Sequence, residues 1–240
     1  MPVGKITGAG AFPPEPALPL QGMTILLVED SRLASEALRL LCLRSGARLR
    51  RADSLAAAHR HLAVYRPNIV IVDAGLPDGD GATLIAEMSR VGAENGGPVV
   101  IGCSGDPGAE EAARAAGAQA FLPKPVESLA AFQETLLSAL AEGAGETGLH
   151  VVAEGEVVPD DQALADDLRH AEEIIRAGNA PRPYIAQFLG GVARVAHDTV
   201  LADAAERLSH TRAGSGELHN IAQLLRTRLA SLPSEGLSGG

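Results

Sequence analysis

From residue 23 to residue 142, short apolar runs alternate five times with stretches of helical periodicity. Met23 to Val28 is a continuous apolar run, the kind buried on both faces of a sheet. Asn68 to Val72 (NIVIV) is strongly β-branched, and Pro98 to Gly102 (PVVIG) resembles it. Arg48 to Ala52 and Ala118 to Leu122 read as weaker strands. Helical patterns fill the gaps. Ser31 can cap the first helix, in which Leu33, Ala37, Leu40 and Leu41 share a face. Asp53 or Ser54 can cap a second that runs to about Tyr65 and is stopped by Pro67. Others fit at about 81–92, 107–117 and 126–142. Crossovers of this length permit parallel pairing, so the pattern predicts an α/β fold with a five-stranded doubly wound parallel sheet.

The flanks have a different character. Residues 1–22 are rich in Gly and Pro and are expected to be a flexible leader. Gly4, Gly8 and Gly10 lack the spacing of a phosphate-binding loop. A linker is expected over 143–159, extended or weakly strand-like from Leu149 to Pro159. A small α-helical region follows over 160–232, then a flexible tail over 233–240. In the helical region Leu164, Leu168, Ala171 and Ile175 form one face. Ile185, Leu189, Val192 and Ala196 form another, in a helix expected to reach about His210. Leu218, Ile221, Leu225, Leu229 and Leu232 form a third. Gly178 and Gly214 look like helix ends, and Pro181 and Pro183 suit a start. Gly190-Gly191, inside the second face, marks a kink, a break or close packing.

Composition removes several function classes. The formal charge is −10, from 20 basic and 30 acidic residues, which disfavours a non-specific phosphate-backbone binder. With no Trp, two Tyr and four Phe, the chain offers no stacking platform for single-stranded nucleic acid. Cys42 and Cys103 lie in apolar surroundings without CxxC spacing and read as buried thiols of a reducing compartment. No run approaches the roughly 18–20 apolar residues of a membrane span, and no secretory pattern opens the chain. The expected location is cytoplasmic.

In an open parallel sheet, ligands bind beyond the carboxyl ends of the strands. Glu29 and Asp30 end the first strand, Asp73 ends the third, Ser104 follows the fourth and Lys124 the fifth. Three carboxylates at one edge repel one another unless a cation joins them, and oxygen ligands of this kind suit Mg²⁺, with Mn²⁺ able to substitute. A carboxylate beside a hard cation and an ammonium can attack a phosphoryl group.

These residues stand in the segments ILLVED (25–30), IVDAGLPDGDG (71–81), IGCSGD (101–106) and FLPKP (121–125). In that order, each at a strand end, they resemble the receiver domain of two-component response regulators, a flavodoxin-like fold, over residues 23–142. The resemblance implies that Asp73 is the phosphoacceptor. It implies that Asp30 ligates Mg²⁺ directly, Glu29 through water, and Gly75 through its backbone carbonyl. Lys124 would pair with the phosphoryl oxygens, Ser104 would hydrogen-bond them, and Phe121 would be the switch aromatic turning inward with Ser104. In this family the Lys124–Pro125 bond is usually cis. Two departures stand out: Gly105 follows the switch residue where Ala is commoner, and Phe121 replaces a frequent Tyr and cannot donate a hydrogen bond.

The implied activity is phosphoryl transfer to Asp73 from a sensor histidine kinase or a histidine phosphotransfer protein, with no separate enzymatic output recognised. The helical region is expected to switch contacts with an unknown output protein or to form a homodimer. A DNA-binding output is an alternative, as is a phosphate sink with no dedicated output. Residues 150–240 carry eight Arg, no Lys and 13 Asp or Glu, an acidic balance that argues against DNA. His197-Asp198 is expected to be a solvated helix-surface pair; it lacks the further ligands of a metal phosphohydrolase, and Asp198 would repel a phosphate on His197.

Overall fold

The computed structural model describes residues 18–95, 97–144, 155, 160–178, 180–210 and 215–232. Its strands are β1 (Thr24–Val28), β2 (Arg48–Ala52), β3 (Ile69–Asp73), β4 (Gly75–Leu76), β5 (Gly79–Asp80), β6 (Val99–Ser104) and β7 (Ala120–Pro123). Helices α1 (Arg32–Ser45), α2 (Leu55–Leu62), α3 (Gly81–Asn95), α4 (Ala109–Ala115) and α5 (Leu129–Ala144) alternate with them. Five strands form one parallel sheet in the order β2-β1-β3-β6-β7. The three central strands are buried on both faces, which is why they read as continuous apolar runs. Strand β2 lies at an edge and alternates exposed with half-buried residues, so its apolar signal is weak. Helices α1 and α5 cover one face through Leu38, Leu41, Phe132 and Leu136. Helices α2, α3 and α4 cover the other through Ala58, Leu84, Ile85 and Ala113. This is the doubly wound, flavodoxin-like receiver fold.

Local chemistry sets the element ends. Ser31 caps α1, its Oγ accepting from Ala34 N at 3.0 Å, and Gly46 closes the helix in the left-handed conformation. Ser54 is the cap of α2. The Asp78 carboxylate also accepts from Leu55 N and Ala56 N, which pins the loop after β3 onto the start of α2. That loop carries the short antiparallel pair β4–β5, a feature absent from the sequence expectation.

The end of the expected leader is not free. Leu20 is fully buried in the core and its N–H donates to Ser45 O at 2.8 Å, so residues 18–22 pack with the receiver. Residues 1–17, most of the expected linker, Gly214 and the expected tail lie outside the described residues.

The C-terminal region forms four helices, where three were expected: α6 (Asp161–Ala177), α7 (Arg182–Val195), α8 (Thr199–His210) and α9 (Ser215–Ser231). The helix expected to run unbroken to His210 stops at Ala196, because His197 adopts φ 52° and Asp198 caps α8 by accepting from Leu201 N. His197 is therefore a turn residue rather than a helix-surface one, and it faces Glu127 at 2.8 Å. Gly190-Gly191 breaks nothing; α7 runs straight through both. Gly178 ends α6 in the left-handed conformation, and Pro181 precedes α7, as the sequence suggested. The apolar faces meet in one core of Leu168, Ile185, Leu189, Val192, Leu208 and Leu225, which also takes in Leu33 of α1.

Candidate functional site

Register places the site. Val28 pairs with Ala52 and Val72, Asp73 with Cys103, and Ser104 with Pro123, so the strands end level at one edge of the sheet. Residues one or two positions beyond those ends must converge there. Glu29, Asp30 and Asp73 each bring an oxygen within 4.8 Å of the others. The Lys124 ammonium sits among them, 2.8 Å from Asp73 Oδ1 and 2.5 Å from Glu29 Oε2. The Lys124–Pro125 bond is cis. Lys124 N donates to Ser104 O at 2.8 Å, and Ala74 N to Cys103 O at 3.1 Å, tying the strand ends together. Gly81 admits the returning loop: a β-carbon there would collide with the Asp73 carbonyl.

The electrostatics follow from burial. Desolvation pushes Glu29 well above the usual carboxylate range, with Lys124 opposing and Asp73 and Asp30 reinforcing. Desolvation likewise raises Asp30 to about 6, against a hydrogen bond from Tyr184. Burial disfavours the Lys124 ammonium, but Asp73 and Glu29 outweigh it and hold its pKa well above the ordinary lysine value. One ammonium thus serves three crowded carboxylates, pairing directly with Glu29 and Asp73. Three carboxylate oxygens at this spacing, with a single ammonium among them, fit a hard divalent cation. Gly75 lines the cavity that Glu29, Asp30, Asp73 and Lys124 also line.

Ser104 is buried, its Oγ accepting from Asp106 N at 3.1 Å. Phe121 is half-buried against Gly102 and lines a small, largely apolar cavity of about 30 Å³ beneath α4. Both thiols are buried, as expected, and desolvation pushes Cys42 up to about 12 and Cys103 higher still.

Several residues at the site were not foreseen. Arg51, on β2, donates from Nε to Glu29 O and Ser35 Oγ, and from Nη2 to Asp30 O at 2.7 Å, fixing the backbone that presents both carboxylates. Tyr184, on α7, donates its hydroxyl to Asp30 Oδ2 at 2.7 Å. Asp167, on α6, is buried at the start of α1 and accepts from Ser31 Oγ, Arg32 N and Leu33 N. The helical region therefore docks on the receiver at the acidic edge, with α6 and α7 against α1 and α7 against β4.

With this geometry the class is defined: a doubly wound sheet with a carboxylate triad and a lysine at its strand ends. The family model of the response regulator receiver domain matches residues 25–136, and that segment is a receiver domain of the two-component systems. Over 101 residues the chain is 32% identical to the KDP operon transcriptional regulatory protein KdpE of Escherichia coli K12, covering 42% of this chain and 44% of that relative. The chain thus spans less than half the length of the curated relative it matches. Solved structures similar to it include a putative response regulator from Chloroflexus aurantiacus J-10-fl, at 28% identity and TM-score 0.44, covering 52% of this chain and 98% of that one. A CheY-like receiver domain protein from Methanospirillum hungatei JF-1 matches at 21% identity and TM-score 0.45, with the same coverage of each. Among the described residues no helix is long and apolar enough to cross a membrane.

Proposed function

We propose that the chain is a two-component response regulator whose Asp73 accepts a phosphoryl group from a phosphohistidine, on a sensor kinase or a phosphotransfer protein. The observation that carries this reading is the buried meeting of Glu29, Asp30 and Asp73 with Lys124 at the strand ends of a receiver domain. An Asp73 oxygen attacks phosphorus, the bond to the imidazole nitrogen breaks, and the imidazole departs. A Mg²⁺ ion held by Glu29, Asp30, Asp73 and the Gly75 carbonyl would neutralise charge on the transferring oxygens. Lys124 pairs with the same oxygens, and the Ser104 hydroxyl turns to donate to them. Phe121 follows into the apolar space beneath α4. The helical region at 160–232 then changes its contacts with the receiver and with an output protein, the phosphoryl group biasing that equilibrium. The acidic balance of residues 150–240 favours a protein partner over DNA.

The test is acyl-phosphate formation on the intact chain with acetyl phosphate and Mg²⁺, followed by intact mass. Wild type should gain one phosphoryl group, and Asp73→Asn should keep the fold and gain none. Mg²⁺-dependent labelling that persists at an aspartate in that variant would refute the assignment.

A further inference from the structure

One face of α7 lies across the acidic cluster. Tyr184 reaches Asp30, Gln187 covers Gly75 and Arg194 covers Gly105. Positions 184, 187, 191 and 194 follow the helical repeat, so these groups form one stripe. The receiver is cut to fit it. A β-carbon at Gly75 would collide with the Gln187 amide, and one at Gly105 with the Arg194 guanidinium. Gly105 is one of the two positions where the sequence departs from the family pattern. The Arg194 Nη atoms also lie 3.7–3.8 Å from the β-carbon position of Gly190, an ordinary van der Waals distance. The missing β-carbon of Gly105 thus makes the slot for this arginine.

That arginine is incompletely satisfied. Its Nε is buried and has no hydrogen-bond partner among the described residues. The side chain lines the cavity that Asp73, Ser104 and Lys124 also line. A guanidinium stays charged at every physiological pH, and leaving one of its donors buried without an acceptor is unfavourable.

We infer that Arg194 is a phosphoryl ligand of the Asp73 site, supplied in cis by the helical region. The inference rests on Asp73 being the phosphoacceptor. The cavity under α7 has room for about 20 Å³, enough for roughly one water. A phosphoryl group therefore arrives only when α7 backs away from the receiver. Once formed, the acyl phosphate adds negative charge to a site in which Glu29 and Asp30 are also carboxylates, and Lys124 is the receiver's side-chain cation there beside the divalent ion of the proposed function. The planar fork of Arg194 matches two of its oxygens, as a lysine point charge does not. Helix α7 then re-seats on the phosphoryl group, and Gly105 leaves the guanidinium space to do so.

The experiment is a ¹⁹F NMR titration of the full chain with beryllofluoride in saturating Mg²⁺, a readout that suits a chain without Trp. Arg194→Ala should weaken binding of this phosphoryl mimic roughly tenfold to a hundredfold, the worth of a charge-assisted hydrogen bond. Arg194→Lys should recover part of the loss, keeping charge without the fork. Gly105→Ala, which fills the slot while retaining the arginine, should weaken binding too and serves if Arg194→Ala does not fold. Unchanged or tighter binding in Arg194→Ala would overturn the inference and make α7 an obstruction only. Should wild type show no bound signal, or Asp73→Asn bind equally well, the phosphoacceptor reading fails and takes this inference with it.

Discussion

At the scale of single residues, the site is a problem of crowded charge. Asp30 titrates at about 6 because burial and Asp73 disfavour its anion, and Glu29 is raised for the same reasons. The ordinary carboxylate value is about 4. The cation-free fold therefore holds protons that the unfolded chain has already released. That contribution to stability is full below about pH 4 and is lost as pH rises through the folded values. A divalent cation needs the ionised carboxylates, so its binding strengthens over the same range. The gain in Tm on replacing EDTA by Mg²⁺ should be small near pH 5 and grow toward about pH 7.5. Thermal unfolding by circular dichroism measures it, and an equal gain at both pH values would count against these residues as ligands. Tyr184 sharpens the point, since its hydroxyl holds one of the Asp30 oxygens. Tyr184→Phe should raise Mg²⁺ affinity by up to roughly tenfold, the net worth of one hydrogen bond, as read by calorimetry. Weaker Mg²⁺ binding in that variant would mean that the hydroxyl orients Asp30 rather than competing for it.

At the scale of elements, the sequence is legible where one force dominates. Strands β1, β3 and β6 are buried on both faces, so hydrophobicity alone marks them to within about two residues. Glu29, Asp30, Asp73, Ser104 and Lys124 were placed together because parallel strands of matched register end at one edge. The break between α7 and α8 was not legible. The apolar spacing from Ile185 to Leu208 runs on as if unbroken, and what ends α7 is a left-handed histidine followed by a capping aspartate. Asp198 also takes two hydrogen bonds from Arg228, at 2.6 and 3.1 Å, which ties α9 to the α7–α8 turn. Asp198→Ala should therefore destabilise the helical region by about 1–3 kcal/mol, from the lost cap and the partly exposed ion pair. A urea melt would show it, while acyl-phosphate formation should be unaffected. Tyr184, Asp167 and Arg194 were missed for a different reason. Each meets the receiver across a long stretch of chain, and no local spacing links α6 or α7 to Ser31, Asp30 or Gly105. The unusual Gly105 is a trace of that docking in the receiver sequence, but a departure from the family pattern does not by itself reveal the side chain that fills the space.

For the whole molecule, the question is where the apolar faces of the helical region go. Three apolar stripes in a region this small have to pack on the receiver, on one another or on a second chain. Four helices cover one another, and Leu33 of the receiver joins their core. The exposed large apolar residues among those described are Leu18, Leu43, Val64, Val91 and Val200, from five different elements or turns. Scattered side chains of this kind do not make a dimer patch. The polar contacts of the docked helices also point inward: Asp167 serves the start of α1 and Tyr184 serves Asp30. The chain should therefore scatter light as a monomer of 24.6 kDa in Mg²⁺. It should remain one when beryllofluoride is added, because α7 exchanges one set of contacts on its own receiver for another. A mass that doubled only with the mimic would place the released α7 face against a second copy, and would contradict its re-seating on the phosphoryl group in cis. A dimer in both states would require an interface on a surface other than the docked face of α7, and the phosphorylation signal would then be read within a constitutive pair.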